Sequence, residues 1–249
     1  MKWNKRFIYP ASSRSLIKDE RHYELGTEKL PSVTTILAAT QSEDKRAGLE
    51  AWKNRVGEVE ATRTRDQAAE RGTAMHKILE SYIAGQNHLD LTDIGQNAHT
   101  MAQQIIDNGL KDLTEIWGSE VTIHYPGLYA GATDLAGIFN GSESIIDFKQ
   151  SNKPKRKEWI TDYFLQLGAY AMAHNTVYGT KIVSGVVLMC TKDNLFQRFE
   201  VDGQEFINYH HDFLRRVDQY YKNKALHNIL DIIKFHIERN NYDTNTIYL

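Results

Sequence analysis

The sequence predicts an α/β protein in which a central mixed β-sheet is flanked by helices, with additional helices toward the N- and C-terminal ends. Two strand-like segments that carry acids are joined by Asn140-Gly141, a preferred hairpin turn. The apolar run at 181–190 predicts a buried strand that pairs with 195–201. Around these segments, apolar residues recur at the three- and four-residue spacing of amphipathic helices.

Composition excludes several classes of protein. The chain has 249 residues, 41% of them hydrophobic and 25% charged, as expected of an ordinary globular protein. Its formal net charge of −2 means that any basic surface must be local. The single cysteine, Cys190, excludes a disulfide framework and a four-cysteine zinc or iron–sulfur site built from this chain alone.

Nothing in the sequence predicts a membrane partner. No apolar run reaches membrane-spanning length, and the start of the chain lacks the apolar core of a secretory signal. The basic, acid-free segment 1–18 resembles a mitochondrial transit peptide, but Trp3 and Phe7 within it are typical of folded structure. We therefore expect a cytoplasmic protein in preference to one of the mitochondrial matrix.

The segment 129–149 carries the residues that predict chemistry. Because side chains alternate along a strand, Asp147 and Lys149 should point to one face and Phe148 to the other. If the hairpin brings Asp134 next to Asp147 and Lys149, two carboxylates and an ammonium converge. Two carboxylates this close favour a hard divalent cation between them. Such a cation supports phosphodiester hydrolysis. An ordinary surface hairpin with a salt bridge is the alternative.

A helix predicted at 66–84, with Asp66 as its cap, contributes a histidine. Gly72 has no side chain, so this helix can approach the sheet closely and bring His76 within reach of the same cation. A purely structural histidine is the alternative. On the strand predicted at 115–125, Glu120 is either a further ligand or water partner, or an exposed strand residue.

A basic segment follows the second acid-bearing strand. It opens a helix predicted at 156–178, on which Trp159, Tyr163, Gln166 and Tyr170 share one side. Basic residues beside aromatic ones suit a single nucleic-acid strand, whereas a charged loop before an aromatic core stripe is the alternative. The substrate-binding candidates of this segment are Lys153, Lys155 and Arg156.

Four motifs together resemble a known family. G-A-T-D at 131–134, followed by I-I-D-F-K at 145–149, resembles the core signature of the PD-(D/E)XK nuclease superfamily. G-T-A-M-H at 72–76 and Q-L-G-A-Y at 166–170 resemble the G-x-x-x-H and Q-x-x-x-Y motifs of its RecB-like branch. P-S-V-T at 31–34 is similar to a segment of the mitochondrial maintenance exonucleases and their phage and bacterial relatives.

The resemblance implies a restriction-endonuclease-like core within a single nuclease domain, 1–249. We expect an N-terminal hairpin and helical substrate-binding region at 1–65, a catalytic core at 66–201 and C-terminal helices at 202–249. Two helical segments are predicted there, at 204–224 and 226–237.

The resemblance also assigns roles. Asp134 and Asp147 hold Mg²⁺ or Mn²⁺, with His76 as third protein ligand and the Phe148 carbonyl as a further candidate. Lys149 positions or activates the attacking water. The residues that would contact the strand are Ser32, Thr34, Gln166 and Tyr170. Capping of a helix by Ser32 and Thr34 is the alternative.

The function implied is a metal-dependent exonuclease that prefers single-stranded DNA, in recombination, repair or replication. A bacterial or phage-infected host cell fits such a compact nuclease, to which a helicase or single-strand-binding protein could deliver the substrate. A structure-specific or duplex endonuclease, and an inactive nucleic-acid-binding module, remain as alternatives.

Overall fold

The computed structural model describes the backbone of residues 1–245 and the side chains of residues 1–227. The strands are β1 (Lys2–Trp3), β2 (Ser13–Ile17), β3 (Glu20–Leu25), β4 (Glu28–Pro31), β5 (Leu113–Tyr125), β6 (Tyr129–Phe139), β7 (Ser142–Ser151), β8 (Ser184–Thr191) and β9 (Phe196–Asp202). The helices are α1 (Val33–Ala39), α2 (Glu43–Val56), α3 (Glu58–Ile83), α4 (Asp93–Gly109), α5 (Thr161–Tyr178) and α6 (Gly203–Asn245).

The central sheet has six strands in the order β1-β5-β6-β7-β8-β9. Strand β1 runs parallel to β5 and β7 runs parallel to β8, while the other neighbours are antiparallel. Helices cover both faces, so the predicted α/β class with a mixed central sheet is confirmed. Among the described residues, none of the helices combines the length and apolar character that a membrane span requires.

The hairpin β6–β7 forms as predicted. Asn140 and Gly141 both have positive φ, 47° and 78°, as a two-residue turn of type I′ requires. Ile145 packs with the helices of one face, α1, α5 and α6, whereas Ile146 and Phe148 pack with α3 and α4 on the other. The alternation predicted for Asp147, Phe148 and Lys149 therefore holds.

A second sheet, β2-β3-β4, lies outside the central one. Its inner face packs on β6, where Tyr23, Leu25 and Leu30 form a small apolar cluster with Ala130. Strand β2 was not predicted, because its hairpin with β3 turns through Lys18-Asp19, which has positive φ at both residues but contains no glycine.

Several predicted boundaries were wrong. Asp66 is not a cap, because α3 begins eight residues earlier, after Gly57, and the boundary at 65/66 falls inside this helix. Helix α5 begins at Thr161, and Lys157–Trp159 forms a separate 3₁₀ turn. The two C-terminal segments predicted at 204–224 and 226–237 are one helix, α6. Residues 246–249 of the predicted C-terminal region lie outside the described residues.

Candidate active site

Three side chains from three elements meet at one edge of the hairpin. His76 comes from α3, Glu120 from β5 and Asp134 from β6, and one potential ligand atom of each lies within 4.8 Å of the others. His76 Nδ1 is 3.4 Å from Asp134 Oδ1 and 4.0 Å from Glu120 Oε1. An imidazole and two carboxylates at this spacing form a candidate metal site.

Backbone irregularity brings Glu120 to this site. Its φ is 52°, in the left-handed region that residues other than glycine seldom adopt. The neighbouring pairs Ser119↔Leu135 and Val121↔Thr133 place Glu120 directly opposite Asp134 in the ladder. The sequence could not reveal this conformation, although it did place Glu120 on the correct strand.

Close packing of α3 against β7 brings His76 to the sheet. A Cβ at Gly72 would lie 3.2 Å from Gln150 Cγ, a tight contact, so the absence of a side chain at Gly72 favours this close approach. Arg71, which the sequence analysis overlooked, donates hydrogen bonds to Gln150 and Asn152 and secures the same contact.

Asp147 and Lys149 form a buried ion pair beside the three side chains. Lys149 Nζ lies 2.5 Å from Asp147 Oδ2, and the ammonium is 5.1 Å from the centre of the Tyr163 ring. The Gln166 amide donates to Asp147 Oδ1 over 3.4 Å and to the Tyr170 hydroxyl over 3.2 Å. The Q-x-x-x-Y motif thus contacts the acid of β7.

The electrostatics of His76 and Asp134 are linked. Burial disfavours the imidazolium, but the charge of Asp134 and the contacts with Asp134 and Glu120 outweigh it and raise the pKa of His76 from 6.5 to about 10. Burial also disfavours the Asp134 carboxylate, yet His76, Lys149 and the backbone amide of Phe148 lower its pKa. Asp134 is therefore ionised at neutral pH.

Asp147 is under the opposite influence. Burial raises its pKa from 3.8 to about 6, with the Asp134 charge adding to the effect and Lys149 opposing it. Burial would lower the pKa of Lys149, but the two aspartates outweigh it and raise that pKa. A carboxylate that is costly to ionise thus lies beside an ammonium that keeps its proton.

The residues present fit a divalent cation. Asp147 Oδ2 is buried and accepts no well-directed hydrogen bond from the described residues, although the Lys149 ammonium lies close to it. Such an oxygen is stabilised by a cation. Oxygen donors with one imidazole suit Mg²⁺ or Mn²⁺ better than a soft metal.

One cavity of about 690 Å³ is lined by the three side chains of the candidate metal site, by the Asp147–Lys149 pair and by the Q-x-x-x-Y motif: His76, Glu120, Asp134, Asp147, Lys149, Gln166 and Tyr170. Ser32 and Thr34 also line it. Ser32 is buried and caps α1 by accepting a hydrogen bond from the Thr35 amide over 3.0 Å, so the capping interpretation holds for this residue. Thr34 is exposed, and its hydroxyl lies 3.0 Å from that of Ser32.

Known proteins with similar sequences are exonucleases by name. A comparison with models of known protein families finds no match. Mitochondrial genome maintenance exonuclease 1 of Homo sapiens is 29% identical over 212 residues, which cover 80% of this chain and 60% of the relative. The Mus musculus protein of that name is 30% identical over 179 residues, which cover 68% of this chain and 52% of the relative. The chain is homologous to mitochondrial genome maintenance exonuclease 1. It spans little more than half the length of these relatives.

Solved structures show more distant similarity than the maintenance exonucleases do. A protein from Eubacterium rectale, provisionally assigned as an exonuclease, is 15% identical with a TM-score of 0.46 and covers 61% of this chain and 65% of its own. An alkaline exonuclease from Laribacter hongkongensis is 17% identical with a TM-score of 0.28. The overlap covers 61% of this chain and 83% of that protein. With both TM-scores below 0.5, neither overlap assigns the fold.

The basic segment after β7 contributes no side chain to the lining of the cavity. Lys153, Lys155 and Arg156 do not line the cavity that contains the site. The backbone of Lys155 exchanges two hydrogen bonds with the Gln197 side chain, which anchors the segment to β9. Arg156 stacks on Trp159 at 5.1 Å, and this indole is 58% exposed.

Two cavity residues were missed by the sequence analysis as candidates for binding. Arg14 of β2 and Arg21 of β3 line the cavity from the second sheet. Recognition of the turn at Lys18-Asp19 could have revealed them, because it would have paired their strands. Their proximity to residues more than 100 positions later depends on how that sheet packs on β6.

Proposed function

We propose that this chain is a divalent-metal-dependent DNA exonuclease. The observation that supports it best is the meeting of His76, Glu120 and Asp134 beside the Asp147–Lys149 ion pair in one cavity. The homologues are exonucleases by name, which supports a nuclease function.

In this proposal His76, Glu120 and Asp134 would hold the cation, with Asp147 and the Phe148 carbonyl as further oxygen donors. His76 would bind as the neutral imidazole, so metal binding would displace the proton that it carries in the metal-free site. When bound, the cation supplies Lewis-acid activation of the scissile phosphate and lowers the pKa of coordinated water. Mg²⁺ and Mn²⁺ both suit the oxygen donors, and the imidazole favours Mn²⁺.

Lys149 acts as a proton-bearing cation in this proposal. Because Asp147 and Asp134 raise its pKa, the ammonium is a poor general base at neutral pH. It is instead suited to orient a water molecule through its N–H groups and to stabilise the negative charge that develops on the phosphate. The cation–π contact with Tyr163 helps to hold it there.

Gln166 and Tyr170 are positioning residues in the same scheme. The amide keeps Asp147 oriented, and the buried Tyr170 ring supports the amide from one helical turn away. Both also line the cavity, next to the acid that they orient.

A single strand of DNA is the substrate that the surface favours. The exposed Trp159 and its Arg156 partner offer a ring for base stacking beside a positive charge, and Lys153 and Lys155 add charge nearby. We place such an enzyme in recombination, repair or replication, with a helicase or single-strand-binding protein to deliver the strand.

The test uses end-labelled linear single-stranded DNA, circular single-stranded DNA and linear duplex, each with Mg²⁺, Mn²⁺ or EDTA. Wild type is compared with Asp147→Asn and Lys149→Ala, and with Arg215→Ala, an exposed position of α6 outside the cavity, as the control. We expect metal-dependent loss of linear single strands, which Asp147→Asn abolishes, which Lys149→Ala slows by about 10²–10³-fold and which the control retains.

Other results would contradict specific parts of the proposal. Cleaved circles would identify an endonuclease, and faster loss of duplex would remove the single-strand preference. Binding without cleavage under any metal condition would favour an inactive binding module. Cleavage in EDTA would exclude the metal-dependent mechanism.

A further inference from the structure

The second sheet presents a cationic face to the cavity. In the β2–β3 register Arg14 pairs with Tyr23, and Leu16 pairs with Arg21. Since directly paired residues and residues two apart share a face, both arginines lie on the same face as Tyr23. Arg14, Arg21 and Tyr23 all line the cavity that holds the metal site.

Neither arginine has an acidic partner within the part of the chain that the structure describes. The hairpin carries two glutamates, and both are engaged elsewhere. Glu20 contacts Lys224 at 2.8 Å and accepts a hydrogen bond from Tyr220, while Glu24 contacts Lys29 at 3.0 Å. Two guanidinium groups are thus left without an opposing carboxylate, and both side chains are exposed.

Packing of the sheet fixes where this face points. Tyr23 is 3% exposed and packs on Ala130 of β6, and the Ser32 backbone forms a bridge with the same residue. The Arg14 guanidinium lies over the Tyr23 ring at 5.5 Å, which limits its freedom. The arginine-bearing face is therefore held next to the strand that carries Asp134.

We propose that Arg14 and Arg21 bind two consecutive phosphates of the DNA strand. These phosphates neighbour the phosphodiester that is cleaved at the metal site. This inference rests on the proposed nuclease function. A guanidinium presents N–H groups in a planar fork that matches two phosphate oxygens. It therefore orients the phosphate as well as neutralising its charge. Diagonal cross-strand positions are about 7–8 Å apart, a separation that suits neighbouring phosphates of an extended strand.

The test measures how binding depends on salt. A fluorescent single-stranded oligonucleotide is titrated in EDTA, so that it is not cut, over a series of NaCl concentrations. The proteins are wild type, Arg14→Ala, Arg21→Ala, the double variant and Arg21→Lys, with Arg215→Ala as the control. Thermal unfolding checks that each is folded, and Mn²⁺ titration checks the metal site.

Removing one phosphate contact from a single strand should reduce the magnitude of the slope of log K against log [salt] by about 0.7. The slope of the double variant should therefore be smaller than that of wild type by about 1.4. Arg21→Lys should keep the slope but bind more weakly, because a lysine cannot form the fork. Metal affinity and the Arg215→Ala slope should match wild type.

Each outcome decides a separate point. A wild-type slope and affinity in the double variant would overturn this inference while leaving the nuclease proposal intact, provided that wild type cleaves DNA. A reduced slope in a protein that never cleaves DNA would uphold phosphate binding and overturn the nuclease function. Weaker metal binding in the double variant would contradict a role confined to phosphates.

Discussion

The backbone amide of Phe148 donates a hydrogen bond to Asp134 Oδ2, with 2.6 Å between the two atoms. This contact links β7 to the acid of β6 and leaves the other oxygen of Asp134 facing His76. An amide in a sheet cannot rotate away, so the carboxylate is oriented before a cation arrives. The hairpin therefore supplies Asp134 and Asp147 and fixes the orientation of Asp134.

Lys149→Ala should lower kcat by about 10²–10³-fold, the typical cost of removing one preorganised donor that stabilises developing charge. Single-turnover cleavage at saturating DNA measures this effect. The matched control is Lys77→Ala, a lysine that lines the cavity but forms no ion pair with either aspartate. Equal losses of kcat in the two variants would mean that any positive charge in the cavity supports cleavage, and would contradict a specific role for Lys149.

Gln166→Ala should reduce Mn²⁺ affinity or kcat by about 10–100-fold, as expected when a hydrogen bond to a metal-site residue is lost. The cause is lost orientation of Asp147, since no charge is removed. Mn²⁺ titration and cleavage kinetics provide the measurement, and Gln103→Ala, on the exposed side of α4, is the control. A Gln166→Ala protein with unchanged metal affinity and kcat would show that the amide is not a positioning group.

Gly131→Ala should destabilise the fold by about 1–3 kcal/mol through overpacking. The new Cβ would lie 2.5 Å from Tyr170 Cε1, so the ring of the Q-x-x-x-Y motif must move. Urea unfolding measures the change. Gly48→Ala in α2, where a Cβ meets nothing within 4 Å, should instead be neutral or slightly stabilising. Tyr170→Ala removes a buried ring and is destabilising by itself, so the double variant should lose less stability than the sum of the two single losses.

The free energy of unfolding should fall as the pH drops from 6.5 toward 4. Burial lowers the pKa of His174 from 6.5 to about 4, so the fold favours the neutral imidazole that contacts Tyr9 and Thr180. A lowered histidine pKa contributes stability above 6.5 that is lost as pH decreases through this window. Urea unfolding at several pH values measures this effect. The free energy of unfolding should depend less steeply on pH in His174→Gln than in wild type. Equal slopes would contradict this assignment.

Trp159→Ala should weaken binding of single-stranded DNA by about 1–3 kcal/mol, the usual contribution of one stacked base. Its stability should be nearly unchanged, because the indole is 58% exposed. Oligonucleotide titration provides the measurement, and Trp159→Phe, which keeps an aromatic face, should retain most of the affinity. Loss of affinity in both variants would point to a role other than stacking.

Local patterns determined a large part of this protein. The Asn140-Gly141 turn, the alternation around Phe148 and the helical spacing from Gly72 to His76 each depend on residues close together in the chain. The α/β class could therefore be predicted from the sequence. The meeting of His76 with Asp134, which the structure shows, was expected from the absent side chain at Gly72 and from the resemblance to the nuclease motifs. Helix boundaries were less predictable, because the start of α3 at Glu58 lacks a side-chain cap.

Only the tertiary structure decided which distant residues share the cavity. Arg14 and Arg21 reach it because the second sheet packs Tyr23 on β6, and no short sequence pattern encodes that contact. The left-handed φ of Glu120 occurs within a continuous register between β5 and β6, and no short sequence pattern predicts it. Short-range propensities set the elements, whereas packing between elements that are distant in the chain set the composition of the cavity.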